Sequence, residues 1–97
     1  MFHHITLLRF KKEATAAQIE IVIEKLREVP KSIQAIKTYV VEKNAGINDG
    51  TFDLALVASF ADLEAYRAYQ SDPAHKKVAT EFVLPIAAEF ASIQYSH

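Results

Sequence analysis

An α+β domain is the fold class this chain predicts, on three observations. Four segments show strand-like alternation, and two regions show the spacing of amphipathic helices. Their order is strand, helix, strand, strand, helix, strand, which predicts an antiparallel sheet with its helices on one face. Of the 97 residues 51% are hydrophobic and only two are glycine, as suits one compact domain over residues 1–97.

The opening "MFHHITLLRF" is rich in β-branched and aromatic residues and lacks proline and glycine, so it reads as a strand. Alternation places Phe2, His4, Thr6, Leu8 and Phe10 on one face, with His3, Ile5, Leu7 and Arg9 on the other. "TAAQ", Thr15 to Gln18, is a capping box, in which the two side chains satisfy free amides at a helix start. Ile19, Val22, Ile23, Leu26 and Val29 then form one apolar stripe, and Pro30 is expected to stop the helix.

A second strand fits Ile36 to Lys43, followed by a loop, Asn44 to Gly50, that holds both glycines. Thr51 to Phe60 is the strongest strand. Phe52, Leu54, Leu56, Ala58 and Phe60 line its heavier face, which should meet the helix stripe and so turn His4 toward the helices and His3 away. Asp62 can cap a helix bearing Leu63, Tyr66 and Tyr69. In "SDPAHKKV", residues 71 to 78, Asp72 can cap a new helical segment with Pro73 in its first turn. That segment carries Val78, Phe82 and Val83 until Pro85, and Ala88 to Tyr95 closes the chain as a strand. This is the ferredoxin-like split βαβ order, βαββαβ, with a four-stranded antiparallel sheet.

Two helical regions cover one face of such a sheet, yet Ile5, Leu7, Ala55 and Val57 make the other face apolar as well. Each Leu or Ile buried is worth about 1.5–3 kcal/mol, so a second copy of the chain is expected against that face, as a homodimer. A monomer with a mixed sheet face is the alternative. The net charge of −1, with both signs interspersed, offers no basic stripe for nucleic acid. Without cysteine there is no disulfide, thiolate metal site or thiol nucleophile. No apolar run approaches the roughly 20 residues of a membrane span, so a soluble cytoplasmic protein with no membrane partner is expected.

"HHITLLRFK" in the first strand, "FDLALVASF" in the third and "AYQSDPAHKKV" after the second helix, in this order, resemble the stress-responsive A/B barrel (Dabb) family. The resemblance covers nearly the whole chain. It implies two ferredoxin-like subunits joined through their sheets into a dimeric α/β barrel, in agreement with the two-sided strands. Most members of the family have no assigned reaction. A plant member closes a polyketide ring by aldol condensation without a cofactor, and its site pattern implies His75 as catalytic histidine, Tyr69 as supporting tyrosine and His4 as the first-strand histidine.

Aldol closure needs a base to remove a proton beside a carbonyl and a donor to steady the enolate oxygen. Imidazole suits the first task near neutrality. A helix start disfavours an imidazolium at His75, while the Asp72 carboxylate pulls the other way. Tyr69 could donate to the oxyanion or orient His75, and His4 could fix substrate or tautomer. The plain alternative is an exposed His75, a packed Tyr69 with its hydroxyl at the rim, and a buried, hydrogen-bonded His4.

His3 and His4 cannot share a metal, because strand neighbours point to opposite faces, and neither HxH nor HExxH spacing occurs. No nucleophile elbow or glycine-rich phosphate loop is present, and no cofactor or metal is expected. Two classes of function stay open. One is a cofactor-free proton-transfer or cyclising enzyme acting on a small apolar carbonyl ligand held between sheet and helices. The other is a non-catalytic, stress-related dimeric module that binds a ligand or has a structural role. A cofactor-independent monooxygenase is a third option. An enclosed pocket joining His75 and Tyr69 would separate the first from the second.

Overall fold

A computed structural model describes residues 1–97. The elements run β1 (Phe2–Phe10), α1 (Ala16–Ser32), β2 (Ile36–Lys43), β3 (Leu54–Phe60), α2 (Leu63–Ser71), α3 (Pro73–Val78), a π-helical turn (Ala79–Val83) and β4 (Ala87–Ser96). The four strands form one antiparallel sheet in the order β2-β3-β1-β4, the ferredoxin-like topology expected.

Helix starts obey local chemistry. Thr15 and Gln18 form the full capping box, with the Gln18 amide N–H donating to Thr15 Oγ1 at 3.1 Å and the Thr15 N–H to Gln18 Oε1 at 2.9 Å. Asp62 caps α2 by accepting from the Ala65 N–H at 2.9 Å. Asp72 serves two helices: its N–H bonds the Tyr69 carbonyl at the end of α2, and its carboxylate accepts from the Ala74 N–H at 2.8 Å to start α3.

Two expectations about boundaries need correcting. Pro30 does not stop α1 but lies inside it, and the helix continues to Ser32. Val29 and Ile33, both buried, hold that last turn against the core, which outweighs the hydrogen bond proline cannot make. The third strand starts at Leu54, not Thr51. Asp53 turns inward there, and its carboxylate accepts from the Phe10 N–H at 2.8 Å, ending the pairing of β1 with β3. On α2, Leu63 is exposed, while Tyr66 and Tyr69 are buried.

Leu54, Leu56, Ala58 and Phe60 are buried under the helices, with Val22, Ile23, Leu26 and Val29 of α1 against them. His4 lies on this covered face, as the alternation predicts. On the opposite face one row crosses all four strands in register: Val40, Val57, Ile5 and Ile93. Val40 is 49% and Ile93 58% exposed, so the row is open apolar surface. No helix is long and apolar enough to cross a membrane.

Candidate functional site

Three elements bring His4, Tyr69 and His75 together. His4 points up from β1, Tyr69 points down from α2, and Asp72 and Pro73 start α3 so that His75 falls at its third position. All three line one cavity of about 90 Å³. Thr6, Leu8 and Leu56 supply its strand side, and Ala79 and Val83 of the π-turn supply part of its helical wall. Phe90 of β4 also lines it and is 50% exposed, so this ring stands at the rim. Single π-turns inside helical segments recur at functional sites, and here one forms a wall.

His4 is only 9% exposed. Its ring lies 5.0 Å from that of Tyr66 and 6.0 Å from that of Tyr69. Its Nδ1 is 2.9 Å from Gln94 Nε2, and its Nε2 is 3.0 Å from Thr6 Oγ1. Burial lowers its pKa from the usual 6.5, and the nearby His75 lowers it further.

Tyr69 is 2% exposed, and its hydroxyl lies 3.3 Å from that of Tyr39. Burial raises its pKa, the Tyr39 hydrogen bond acts against that rise, and Tyr66 adds to it. The plain alternative, a packed Tyr69 with its hydroxyl at the rim, does not hold for this buried side chain. Nor does it hydrogen-bond His75: the two rings stack, with centroids 4.3 Å apart and planes 27° from parallel.

The His75 side chain is half-buried, and its Nδ1 is fully buried without a hydrogen-bond partner. Its pKa is lowered first by burial, with Asp72 acting upward and Lys76 downward. The direction of this shift favours a neutral imidazole, but for a different reason from the helix start considered in the sequence. Burial, not the end of a six-residue helix, is the main cause. Chemically, the cavity combines an apolar lining with two imidazoles, and on one of them, His75, no protein group engages the buried Nδ1.

Thr6, Gln94 and Phe90 are the residues that sequence reasoning missed. Thr6 could have been found, since it follows His4 by two on the same strand face. Gln94 and Phe90 meet the site only through the pairing of β1 with β4, which sets Gln94 opposite His4 and Phe90 opposite Leu8. His3 points away from the cavity and stacks on Tyr95 at 4.9 Å, so the two adjacent histidines do not share a ligand site. A larger cleft of about 410 Å³ between α1 and α3 is lined by Lys25, Glu28, Lys77 and Glu81 and holds no histidine or tyrosine.

Fold and site together define a class: a ferredoxin-like α+β domain with a small, largely apolar cavity between sheet and helices, lined by two histidines and a tyrosine. The family described as Stress Responsive A/B Barrel Domain matches residues 2–97, and the chain belongs to it. No curated protein matches the chain significantly.

Among solved structures, a dimeric ferredoxin-like protein of unknown function from Thermobifida fusca is 30% identical, with a TM-score of 0.91 over 99% of this chain and 90% of that one. A Dabb family protein from Mesorhizobium loti is 16% identical, with a TM-score of 0.84 over 99% and 95%. A hydroxynitrile lyase from Passiflora edulis shares the fold at 18% identity, with a TM-score of 0.85 over 97% and 90%.

Proposed function

We propose that the protein is a homodimer joined through its open sheet faces, and that each subunit binds a small neutral carbonyl compound in the cavity. His75 acts there as the base of a cofactor-free proton transfer or cyclisation. The reading is carried by one observation: the unpartnered, buried Nδ1 belongs to a histidine that stacks on Tyr69 and shares a cavity with it. Support for the dimer comes from the apolar row Val40–Val57–Ile5–Ile93 and from the T. fusca relative, which is described as dimeric.

The cavity lining contains no lysine, arginine, aspartate or glutamate, which favours an uncharged ligand. Its volume of about 90 Å³ lies far below the ~300–1,000 Å³ of ordinary ligand pockets. The occupant is therefore a small molecule, or Phe90 moves to admit a larger one such as a polyketide. That same small volume favours the second reading, a stress-related dimeric module without catalysis.

Exchange of α-protons on cyclopentanone in D₂O, followed by proton NMR, tests the base directly. The catalytic reading expects exchange above the buffer rate and a loss of about 10²- to 10⁴-fold in His75→Ala. Binding of the ketone without accelerated exchange would leave the module as the better account.

A further inference from the structure

Gln94 faces His4 across the β1–β4 pair, and Thr6 follows His4 by two residues on the same face of β1. The contacts among the three have a direction. A side-chain amide nitrogen only donates. With Gln94 Nε2 at 2.9 Å, His4 Nδ1 must accept. A neutral imidazole then carries its proton on Nε2, and the group within reach is Thr6 Oγ1 at 3.0 Å. The Thr6 hydroxyl accepts that bond and keeps its own proton for another acceptor. No protein group takes it: the contact with His4 is the hydroxyl's one hydrogen bond. Thr6 lines the cavity.

We propose that Thr6 is the hydrogen-bond donor to the oxygen of the bound ligand, and that Gln94 and His4 are positioning residues that aim it. The inference rests on the carbonyl-binding reading above and deepens it. It gives the cavity a donor side on β1 and an acceptor side on α3. A ketone or aldehyde oxygen would sit against Thr6, with its α-carbon toward His75. Tyr69, whose hydroxyl is engaged with that of Tyr39, would serve as the surface on which His75 stacks. The arrangement selects a neutral ligand that accepts hydrogen bonds. An alcohol acting only as donor, or a hydrocarbon of the same shape, would gain nothing from it.

Two measurements test this separately from the base chemistry. First, the ¹⁵N shifts of His4 in the unliganded protein should show a proton on Nε2 and none on Nδ1. Gln94→Met, which removes the donor, should turn this into a mixture of tautomers. A proton on Nδ1 in the wild type would overturn the relay while leaving the cavity reading intact. Second, NMR titrations compare cyclopentanone with methylenecyclopentane, which has the same shape but no oxygen.

The wild type should favour the ketone by roughly 2- to 10-fold, the range of one net hydrogen bond. Thr6→Val should abolish that preference and Thr6→Ser should restore it, with circular dichroism confirming the fold of each. A preference unchanged in Thr6→Val would overturn Thr6 as the donor. Failure of cyclopentanone to shift any cavity resonance would overturn the carbonyl-binding reading, and this proposal with it.

Discussion

Burial lowers the pKa of both His4 and His75, which ties stability to pH. Each titrates near 6.5 in the unfolded chain and lower in the folded one. Below pH 6.5 the unfolded state therefore binds more protons, and stability falls as the pH drops toward the folded values. Above 6.5 both states are neutral at these sites, and this loss is absent. Urea unfolding at pH 7.5 and 5.0 should show the acid loss, and His75→Asn should reduce it. Tyr69→Phe keeps the ring that stacks on His75 and removes only the hydroxyl bonded to Tyr39. It should therefore cost less ketone exchange than His75→Ala, as measured in the same D₂O assay. His4 and His75 were legible in the sequence because a motif and a strand face mark them. The Thr6–His4–Gln94 chain was not, because it depends on the register of two strands nearly ninety residues apart.

Among the elements, the start signals were read most reliably. Thr15, Asp62 and Asp72 all cap as expected, since capping is settled within three or four residues. The misread limits depend on distant partners: Asp53 turns toward the Phe10 amide, and the turn around Pro30 is held by the core. Thr15→Ala should cost about 0.5–2 kcal/mol, read from the midpoint of chemical denaturation. Asp72 carries both a cap and a charge, and the two can be separated. Asp72→Asn keeps a good capping side chain but removes the carboxylate that raises the pKa of His75. An NMR titration should then find the His75 pKa lower than in the wild type, with little change in stability.

For the molecule as a whole, the sheet is the common wall of two environments. One face holds the core and the cavity, and the other presents the row Val40, Val57, Ile5 and Ile93. That second face was legible from alternation alone, because β1 and β3 carry apolar residues at successive positions. The lysine variant Val57→Lys would set a charge in the middle of the row, where desolvating it against a second subunit is costly. Sedimentation velocity should find a dimer for the wild type and a monomer for Val57→Lys. Circular dichroism should show the fold retained, since Val57 lies outside the buried core. A monomeric wild type at micromolar concentration would remove the dimer from the proposed function.

The π-turn makes one wall of the cavity a matter of chain length. The Leu84 N–H reaches back five residues to the Ala79 carbonyl, so this turn holds one residue more than an α-helical turn would. Deleting a single residue between 79 and 83 would remove the extra residue and let the segment close as an α-helical turn, with the residues beyond it kept near their present orientation. The wall formed by Ala79 and Val83 would contract without either residue being substituted. Relatives that differ here by one insertion or deletion would then carry differently shaped cavities behind the same histidines. The shape of the cavity would then differ through a frame of one residue, where a comparison of matched side chains would see no change.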